Sequence, residues 1–308
     1  MNKIKVFAPA SVGNIGPGFD TLGMAVKSIG DSIWAKKNKL KLVRIRRISG
    51  DLGKLPLAAD KNTAGIAAKK VMGRLKVREG IDLIIHKNIP GNGLGSSAAS
   101  AVAGAVAANL LFGNKLNQDE LLHIALEAES YVSGGIFMDN VGASLFGGVI
   151  LARPEEKKVI KVGILKKITV ILVTPDFPLM TKEARRILPQ KIEMSRWVQN
   201  MSNSCAMVLG VCRQDARLFG RSISDAVIEP VRARLIPGFY DVKEAALSHG
   251  ALGCSISGAG STLFAVTDQN SMSESIGQAM KESFQKIGIE SVITISKIDG
   301  QGAREVKE

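Results

Sequence analysis

The segment that most restricts how this chain can fold is rich in glycine and serine and joins an apolar run to an alanine-rich run. Residues 90–100 read Pro-Gly-Asn-Gly-Leu-Gly-Ser-Ser-Ala-Ala-Ser. The run at 81–86 predicts a strand, and the run at 96–112 predicts a helix. Glycines let backbone N–H groups approach an oxyanion, and a helix N-terminus adds partial positive charge. By itself the segment indicates an ordinary capped turn or an anion site with equal weight.

The segment differs from the common nucleotide-binding loops. No Gly-Lys-Ser/Thr sequence ends it, as a Walker A motif requires, and its glycines do not follow the GxGxxG spacing of dinucleotide-binding folds. Ser96 and Ser97 can cap the helix and present their hydroxyls to a phosphate or a metal ion.

Two further glycine-rich segments lie towards the ends of the chain. Residues 8–23 predict a long irregular loop, in which Asn14 and Asp20 are the groups able to bind a small polar ligand. Residues 253–262 predict two strands joined by a tight turn, and taken alone they indicate an ordinary hairpin.

Helical and strand patterns alternate in both halves of the chain, which predicts an α+β fold. Helices are predicted at 63–75, 96–112, 118–130, 181–188, 195–211, 239–249 and 273–287, and strands at 3–8, 39–48, 81–86, 145–151, 168–173, 254–256, 262–266 and 291–296. The polar residues 153–158 predict a turn and a domain boundary.

Taken together, the three glycine-rich segments resemble the motifs of the GHMP kinases (galactokinase, homoserine kinase, mevalonate kinase and phosphomevalonate kinase). The pattern Pro-X-X-X-Gly-Leu-Gly-Ser-Ser-Ala-Ala is similar to that family's phosphate loop, and the other two segments occur in the family's order and spacing. The resemblance covers almost the whole chain. It implies a two-domain α+β fold, with a ribosomal-protein-S5-domain-2-like ATP-binding domain at 1–156, a ferredoxin-like domain at 157–308, and ATP and substrate in the cleft between them.

Within the family, four stretches resemble the homoserine kinases in particular: residues 14–23, 139–148, 181–185 and 228–232. This resemblance implies transfer of the γ-phosphoryl group of ATP to the side-chain hydroxyl of L-homoserine, a step of threonine biosynthesis. A kinase of the shikimate or mevalonate type is the alternative within the same fold.

The resemblance also implies which residues hold the nucleotide. Asn62 is expected near the nucleoside, and Ser97 and Glu129 are expected to hold Mg²⁺, with Glu127 as a nearby competitor. The residues expected to wrap the phosphates are Pro90, Gly91, Asn92, Gly93, Leu94, Gly95, Ser96 and Ser97.

The acceptor site is expected to match a zwitterion that carries a terminal hydroxyl. A substrate ammonium needs an anion, which Asp20 can supply, and a substrate carboxylate needs guanidinium groups, which Arg185 and Arg232 can supply. The resemblance adds four residues to this set: Asn14, Asn140, Thr181 and Gly258.

A general base is missing from the expected position. Mevalonate kinases carry an Asp where this chain has Asn140, so Asn140 is expected to orient the substrate hydroxyl, while alignment and charge neutralisation promote the reaction. Asp139 is a weaker candidate for a base, because neighbouring residues of an extended or turning chain point in different directions. Phe137 stands where homoserine kinases typically carry His, which predicts either a reshaped pocket wall or a different alcohol substrate.

Composition and charge narrow the remaining alternatives. The chain of 308 residues has no apolar signal core at its start, and residues 98–112 are too short to span a bilayer, so we expect a cytoplasmic protein without a membrane partner. The three cysteines form no CxxC pair, and the spacing of Cys205 and Cys212 predicts a shared core face of a helix rather than disulfide or zinc chemistry.

The formal net charge of +13 favours anionic partners. The densest basic stretch, at 36–47, has no interleaved aromatic residues, so nucleic-acid binding is disfavoured. A catalytically silent family member that binds a metabolite or nucleic acid is the alternative from a different class. A homodimer is expected from the resemblance alone.

Overall fold

Two β-sheets with helices packed against them form the fold, in a computed structural model that describes residues 3–90, 92–133 and 135–307. The larger sheet has seven strands. They are β1 (Lys3–Gly13), β2 (Leu22–Asn38), β3 (Val43–Ser49), β4 (Gly80–His86), β5 (Val149–Arg153), β6 (Lys158–Gly163) and β11 (Arg304–Glu305). The main path runs β11-β1-β2-β4-β3, with β5 paired to β2 and β6 paired to β5. Only the β3–β4 pair among these described strands is parallel.

Four helices accompany this sheet: α1 (Thr63–Arg74), α2 (Ser96–Leu111), α3 (Gln118–Ser133) and α4 (Met138–Phe146). Alanine, the best helix former, dominates α2, and every residue of α2 from 98 to 109 is buried. Gly104 permits a close contact between α2 and α1, because a Cβ there would lie 2.4 Å from the carbonyl oxygen of Ala64. The small side chains therefore bring the start of α1 close to α2.

The smaller sheet has four antiparallel strands in the order β10-β7-β9-β8. They are β7 (Thr169–Pro175), β8 (Gly253–Ile256), β9 (Leu263–Thr267) and β10 (Ser291–Ser296). The helices of this half are α5 (Thr181–Arg186), α6 (Met194–Arg213), α7 (Ala216–Arg221), α8 (Glu229–Arg232), α9 (Phe239–Ser248) and α10 (Ser273–Gln285). The predicted α+β class is confirmed.

A hydrophobic cluster joins the two sheets. It combines Val12 of β1 with Val170 of β7 and Phe264 of β9, all fully buried. The larger sheet also takes β6 and the returning strand β11 from the second half of the chain. The division of the chain at residues 156 and 157 stays a prediction. Among the described residues, no helix has the length and apolar character required to cross a bilayer.

Three local predictions were wrong. Residues 8–13 belong to strand β1 rather than to an irregular loop, because their alternating contacts with β2 continue to Gly13. Residues 145–146 end helix α4, and the strand predicted there begins at Val149. Cys205 and Cys212 are exposed on α6, whereas Cys254 is buried.

Candidate active site

A cavity of about 370 Å³ opens beside the N-terminus of α2. The first and third glycine-rich segments and the middle one all contribute to its wall, as do α1, α3, α4 and α5. The expected site residues that line it are Asn14, Asp20, Asn62, Asn92, Gly93, Gly95, Ser96, Ser97, Glu129, Asn140, Thr181, Arg185, Arg232 and Gly258. Side chains widely separated in the sequence therefore meet at one place.

The middle glycine-rich segment is held by the other two. The backbone N–H of Ser11 donates to the carbonyl oxygen of Leu94 at 3.1 Å. From the third segment, the hydroxyl of Ser257 donates to the carbonyl oxygen of Gly93 and that of Thr262 donates to the carbonyl oxygen of Asn92, each at 2.6 Å. Three carbonyl groups of the loop are thus satisfied by neighbouring protein groups, which fixes the loop in front of α2.

Glycine is required at two points of this loop. Gly95 has a φ of +64° and immediately precedes α2, where a Cβ would lie 2.2 Å from the hydroxyl oxygen of Ser11. Gly93 has a φ of +89°, and its Cβ would lie 2.4 Å from the carbonyl oxygen of Ser257. A side chain at either position would force the three segments apart and displace the start of α2.

The first turn of α2 is joined to α3 through a hydroxyl and a carboxylate. The hydroxyl of Ser97 donates to Oε2 of Glu129 at 2.6 Å, and Glu129 is buried with 4% exposure. Glu127, the expected competitor, is exposed and forms an ion pair with Lys70 at 2.6 Å. Only Glu129 of the two carboxylates lines the cavity.

Asn62 owes its position to its role at the start of α1. Its side-chain oxygen accepts a hydrogen bond from the N–H of Ala64 at 3.1 Å, which caps the helix. Its side-chain amide donates to the carbonyl oxygen of Pro56, another residue that lines the cavity. The cap therefore holds the polar side chain at the cavity wall.

A buried cluster that was not predicted from the sequence supports the middle glycine-rich segment. Lys87 donates to Asp31, to the carbonyl oxygen of Ser96 at 2.9 Å and to the hydroxyl of Ser100 at 2.7 Å. The side chains of Lys87 and Asp31 are 8% and 0% exposed. The available signal was a lysine directly after strand β4 and three residues before the glycine-rich segment at 90–100.

At the other end of the cavity, Asn14 joins the first and third glycine-rich segments. Its side-chain nitrogen, Nδ2, donates to the carbonyl oxygen of Gly258 at 2.7 Å. Its side-chain oxygen accepts from the backbone N–H of Asp20 at 3.0 Å. Both Asn14 and Asp20 have positive φ, which Asn and Asp tolerate better than other side chains. These two hydrogen bonds of the Asn14 side chain thus hold the loop that carries Asp20.

Two guanidinium groups and Asp20 face this end of the cavity. Nη2 of Arg185 donates to both carboxylate oxygens of Asp20, at 2.8 and 3.0 Å. Nη1 of Arg232 donates to the carbonyl oxygen of Gly258 at 2.9 Å. Burial, and then the positive charge of Arg185, lower the pKa of Arg232. Two closely placed cations, the buried Arg232 and the half-buried Arg185, favour binding of an anion.

Asp139 and Asn140 both line the cavity, because they lie in the first turn of a helix rather than in an extended segment. Oδ2 of Asp139 accepts from the backbone N–H of Asn14 at 3.0 Å, and Oδ1 accepts from the side-chain amide of Asn140 at 3.2 Å. Burial, and then the charge of Asp20, raise the pKa of Asp139 to about 6. The expectation that these neighbours would point in different directions was wrong.

Two expected residues do not line the cavity. They are Pro90 and Leu94, and the side chain of Leu94 is fully buried in the cluster that joins the two sheets. Gly91 lies outside the described residues. Phe137 does line the cavity, and its ring packs against the guanidinium of Arg185 with 5.0 Å between the ring centre and Cζ.

Sequence comparisons identify relatives along the whole chain. Family models described as the GHMP kinases N-terminal domain and the GHMP kinases C-terminal domain match residues 62–148 and 207–286. A homoserine kinase of Chloroherpeton thalassium is 40% identical over 317 residues, 99% of each chain. One of Arabidopsis thaliana is 44% identical over 313 residues, 98% of this chain and 84% of that protein.

Solved structures agree. The crystal structure of a homoserine kinase from Cytophaga hutchinsonii has 42% identity and a TM-score of 0.95, with 99% of this chain and 98% of that chain covered. A mevalonate kinase of L. major in complex with R-mevalonate has 16% identity and a TM-score of 0.75, covering 97% and 98%, which shows the shared fold alone. The chain belongs to the homoserine kinases of the GHMP kinase family.

Proposed function

We propose that this protein transfers the γ-phosphoryl group of ATP to the side-chain hydroxyl of L-homoserine, giving O-phospho-L-homoserine. The observation that carries the proposal is the arrangement of one cavity, with the glycine-rich loop and α2 N-terminus at one end and Asp20, Arg185 and Arg232 at the other. Homologous homoserine kinases at about 40% identity over almost the full chain support the same activity.

The acceptor end suits a zwitterion better than a simple carboxylic acid. Arg185 and Arg232 provide two positive charges for a carboxylate, and Asp20 provides a negative charge for an ammonium. Shikimate and mevalonate carry a carboxylate and hydroxyls but no ammonium, so neither would give Asp20 a cation besides Arg185, with which it is already paired. We infer that Asn14, Thr181 and Gly258 complete this subsite.

At the other end, ATP would bind with its phosphates at the backbone N–H groups of residues 92–97 and at the N-terminus of α2. Asn62 would lie beside the nucleoside. The residues that we expect to support Mg²⁺ are Ser97 and Glu129, a hydroxyl and a carboxylate joined by a hydrogen bond of 2.6 Å.

These two oxygen donors fit Mg²⁺, which binds proteins through one or two oxygen ligands and completes its octahedron with phosphate and water oxygens. The part of the chain that the structure describes contains no cluster of three or more His, Cys, Asp and Glu side chains able to hold a metal by itself. When bound with ATP, the ion neutralises charge on the phosphates.

Asn140 is the residue that we propose to orient the substrate hydroxyl. Its side-chain oxygen accepts from the hydroxyl of Ser11 at 3.0 Å, and its side-chain nitrogen donates to Asp139. These two bonds leave one N–H and one lone pair of the amide for the substrate. The amide is a poor proton acceptor, so the rate enhancement would come from alignment of the hydroxyl with the γ-phosphoryl group.

We propose a cytoplasmic location, which the three free cysteines and the use of ATP support. A homodimer stays a prediction. Neither affects the assignment of the acceptor.

The acceptor is tested by coupled ADP release with Mg-ATP and five compounds: L-homoserine, L-serine, L-threonine, shikimate and mevalonate. We expect turnover with L-homoserine and less than about one tenth of its kcat/KM with the others, since each lost charge-assisted contact or misplaced hydroxyl costs roughly 1.5–3 kcal/mol. Preferred turnover of shikimate or mevalonate would overturn the substrate. Acceptor-independent ATP turnover alone would overturn the kinase assignment.

A further inference from the structure

The guanidinium of Arg185 is attached to Asp20 through a single nitrogen. Both of its hydrogen bonds to the Asp20 carboxylate come from Nη2. A fork of two different nitrogens would fix the guanidinium plane, whereas one nitrogen leaves the plane free to rotate about the point of attachment. Nε of Arg185 is buried and makes no hydrogen bond within the described part of the chain. The ion pair alone therefore does not determine the orientation of Arg185.

Two aromatic rings supply the missing restraint. Cζ of Arg185 lies 5.0 Å from the centre of the Phe137 ring and 5.6 Å from the centre of the Phe19 ring. Both distances are within the range of about 6 Å at which a ring face attracts a cation. Phe19 also lies 5.1 Å from Cζ of Arg232, so its ring serves both guanidinium groups. Of the two guanidinium groups, Phe137 contacts that of Arg185.

The start of α4 holds the backbone of Phe137, and a glycine leaves room for its ring. Its carbonyl oxygen accepts from the N–H of Val141 at 3.0 Å, which is the first hydrogen bond of α4. Gly135 leaves room for the ring, because a Cβ at that position would lie 2.9 Å from Cζ of Phe137. Three residues along the same turn lies Asn140. The start of α4 thus carries a group for each end of the acceptor.

We propose that Phe137 is a positioning residue for the acceptor: its ring holds the Arg185 guanidinium in the orientation that binds the substrate carboxylate. The proposal rests on the proposed function and adds a determinant of acceptor affinity. It predicts that the ring face matters and that the remaining chemistry of the side chain does not. It also predicts that an acceptor without a carboxylate is indifferent to the ring.

The test compares Phe137→Leu and Phe137→Tyr with the wild type, using L-homoserine and 3-aminopropan-1-ol, which is homoserine without its carboxylate. For Phe137→Leu we expect KM for L-homoserine to rise about fivefold with kcat within about twofold, because the contact of a ring with a partly exposed guanidinium contributes about fivefold in affinity. For 3-aminopropan-1-ol we expect kcat/KM to stay within about twofold. Phe137→Tyr keeps the ring face, so we expect its KM for L-homoserine to equal that of the wild type.

Phe7→Leu is the matched control, since Phe7 stacks on Arg304 at 5.0 Å outside the residues that line the cavity. It is expected to leave KM for L-homoserine unchanged. If Phe137→Leu does not fold, Phe137→Met takes its place. A fall in kcat without a rise in KM, an equal loss with both acceptors, or a Phe137→Tyr variant as weak as Phe137→Leu would overturn the proposal. Failure of the wild type to use L-homoserine would instead overturn the proposed function.

Discussion

The hydroxyl of Ser11 and the side-chain oxygen of Asn140, 129 residues apart in the sequence, are joined by a hydrogen bond of 3.0 Å. Because an amide can be rotated by half a turn with little change in shape, a donor at its oxygen decides which end faces the substrate. The bond from Asn140 to Asp139 at 3.2 Å fixes the other end. The orientation of Asn140 is therefore imposed by two neighbours.

Removing the Ser11 hydroxyl should disturb this orientation. For Ser11→Ala we expect kcat to fall about fivefold and KM for L-homoserine to change by less than about threefold, because one neutral hydrogen bond contributes about 1 kcal/mol to alignment. Steady-state kinetics measures both. Ser144→Ala is the control, because it removes a buried hydroxyl from α4, the helix that also carries Asn140. The hydroxyl of Ser144 donates to the carbonyl oxygen of Pro9. It should lower the melting temperature and spare kcat; unchanged kcat in Ser11→Ala contradicts the account.

Glu129 and Glu127 form a natural pair for testing the metal site. Glu129 is buried beside Ser97, whereas Glu127 is exposed and paired with Lys70. For Glu129→Gln we expect the Mg²⁺ concentration at half-maximal rate to rise at least about tenfold, because a neutral amide is a weaker ligand for a hard cation. Glu127→Gln should leave the Mg²⁺ titration unchanged. Equal responses of the two variants would remove Glu129 from the metal site.

The acid side of the pH profile should report Asp139. Its pKa is raised to about 6, chiefly by burial. The ionised carboxylate accepts from Asn14 and Asn140, and protonation removes acceptor capacity. We therefore expect kcat/KM, which reports the free enzyme, to fall as the pH drops below about 6. Asp139→Asn should be less active and lack this limb. Ionisation of ATP affects the wild type and the variant equally. If both show the same fall in kcat/KM at low pH, Asp139 is not the group responsible for it.

The same shift has a defined effect on stability. Because the folded-state pKa of Asp139 is raised from its ordinary value of 3.8, the folded protein binds more protons than the unfolded chain between the two values. The contribution of Asp139 to stability is thus fully present below pH 3.8 and is lost as the pH rises through about 6. Urea unfolding at several pH values should show the free energy of unfolding of the wild type falling, relative to that of Asp139→Asn, as the pH rises through about 6.

Substitutions at Lys87 and Asp31 test how the middle glycine-rich segment is supported. Lys87→Met leaves the fully buried carboxylate of Asp31 without its cation and should lower the free energy of unfolding by roughly 3–5 kcal/mol. Adding Asp31→Asn should recover part of that loss, because the buried charge is then removed. Urea unfolding measures both. A single variant as stable as the wild type would show that the pair does not hold the loop.

The sequence was sufficient for features that depend on local pattern. The glycine-rich loop and α2 follow from glycine geometry and alanine propensity, and both are found where expected. Strand β2 was missed because its 17 residues include Gly30 and the buried Asp31 and show no clean alternation. The charge of Asp31 is neutralised by Lys87, which directly follows strand β4, and no local sequence pattern encodes this pairing.

The residues proposed for the acceptor site were named from the sequence, but their contacts with one another were not predicted. Asp20 and Arg185 were both named, yet their ion pair brings together residues 165 apart in the sequence. The contacts of Ser11 with Asn140 and of Phe137 with Arg185 are of the same long-range kind. Exposed Cys205 and Cys212 show the opposite failure, since helical spacing does not say which face of α6 is covered.

The central claim is that one site recognises both charges of a zwitterionic alcohol. The most direct measurement is kcat/KM by ADP release with Mg-ATP for L-homoserine, 4-hydroxybutyrate and 3-aminopropan-1-ol, where the second compound lacks the ammonium and the third lacks the carboxylate. We predict that L-homoserine exceeds each analogue by about a hundredfold or more, as expected for loss of two charge-assisted hydrogen bonds. A value for either analogue within about tenfold of that for L-homoserine would contradict the account.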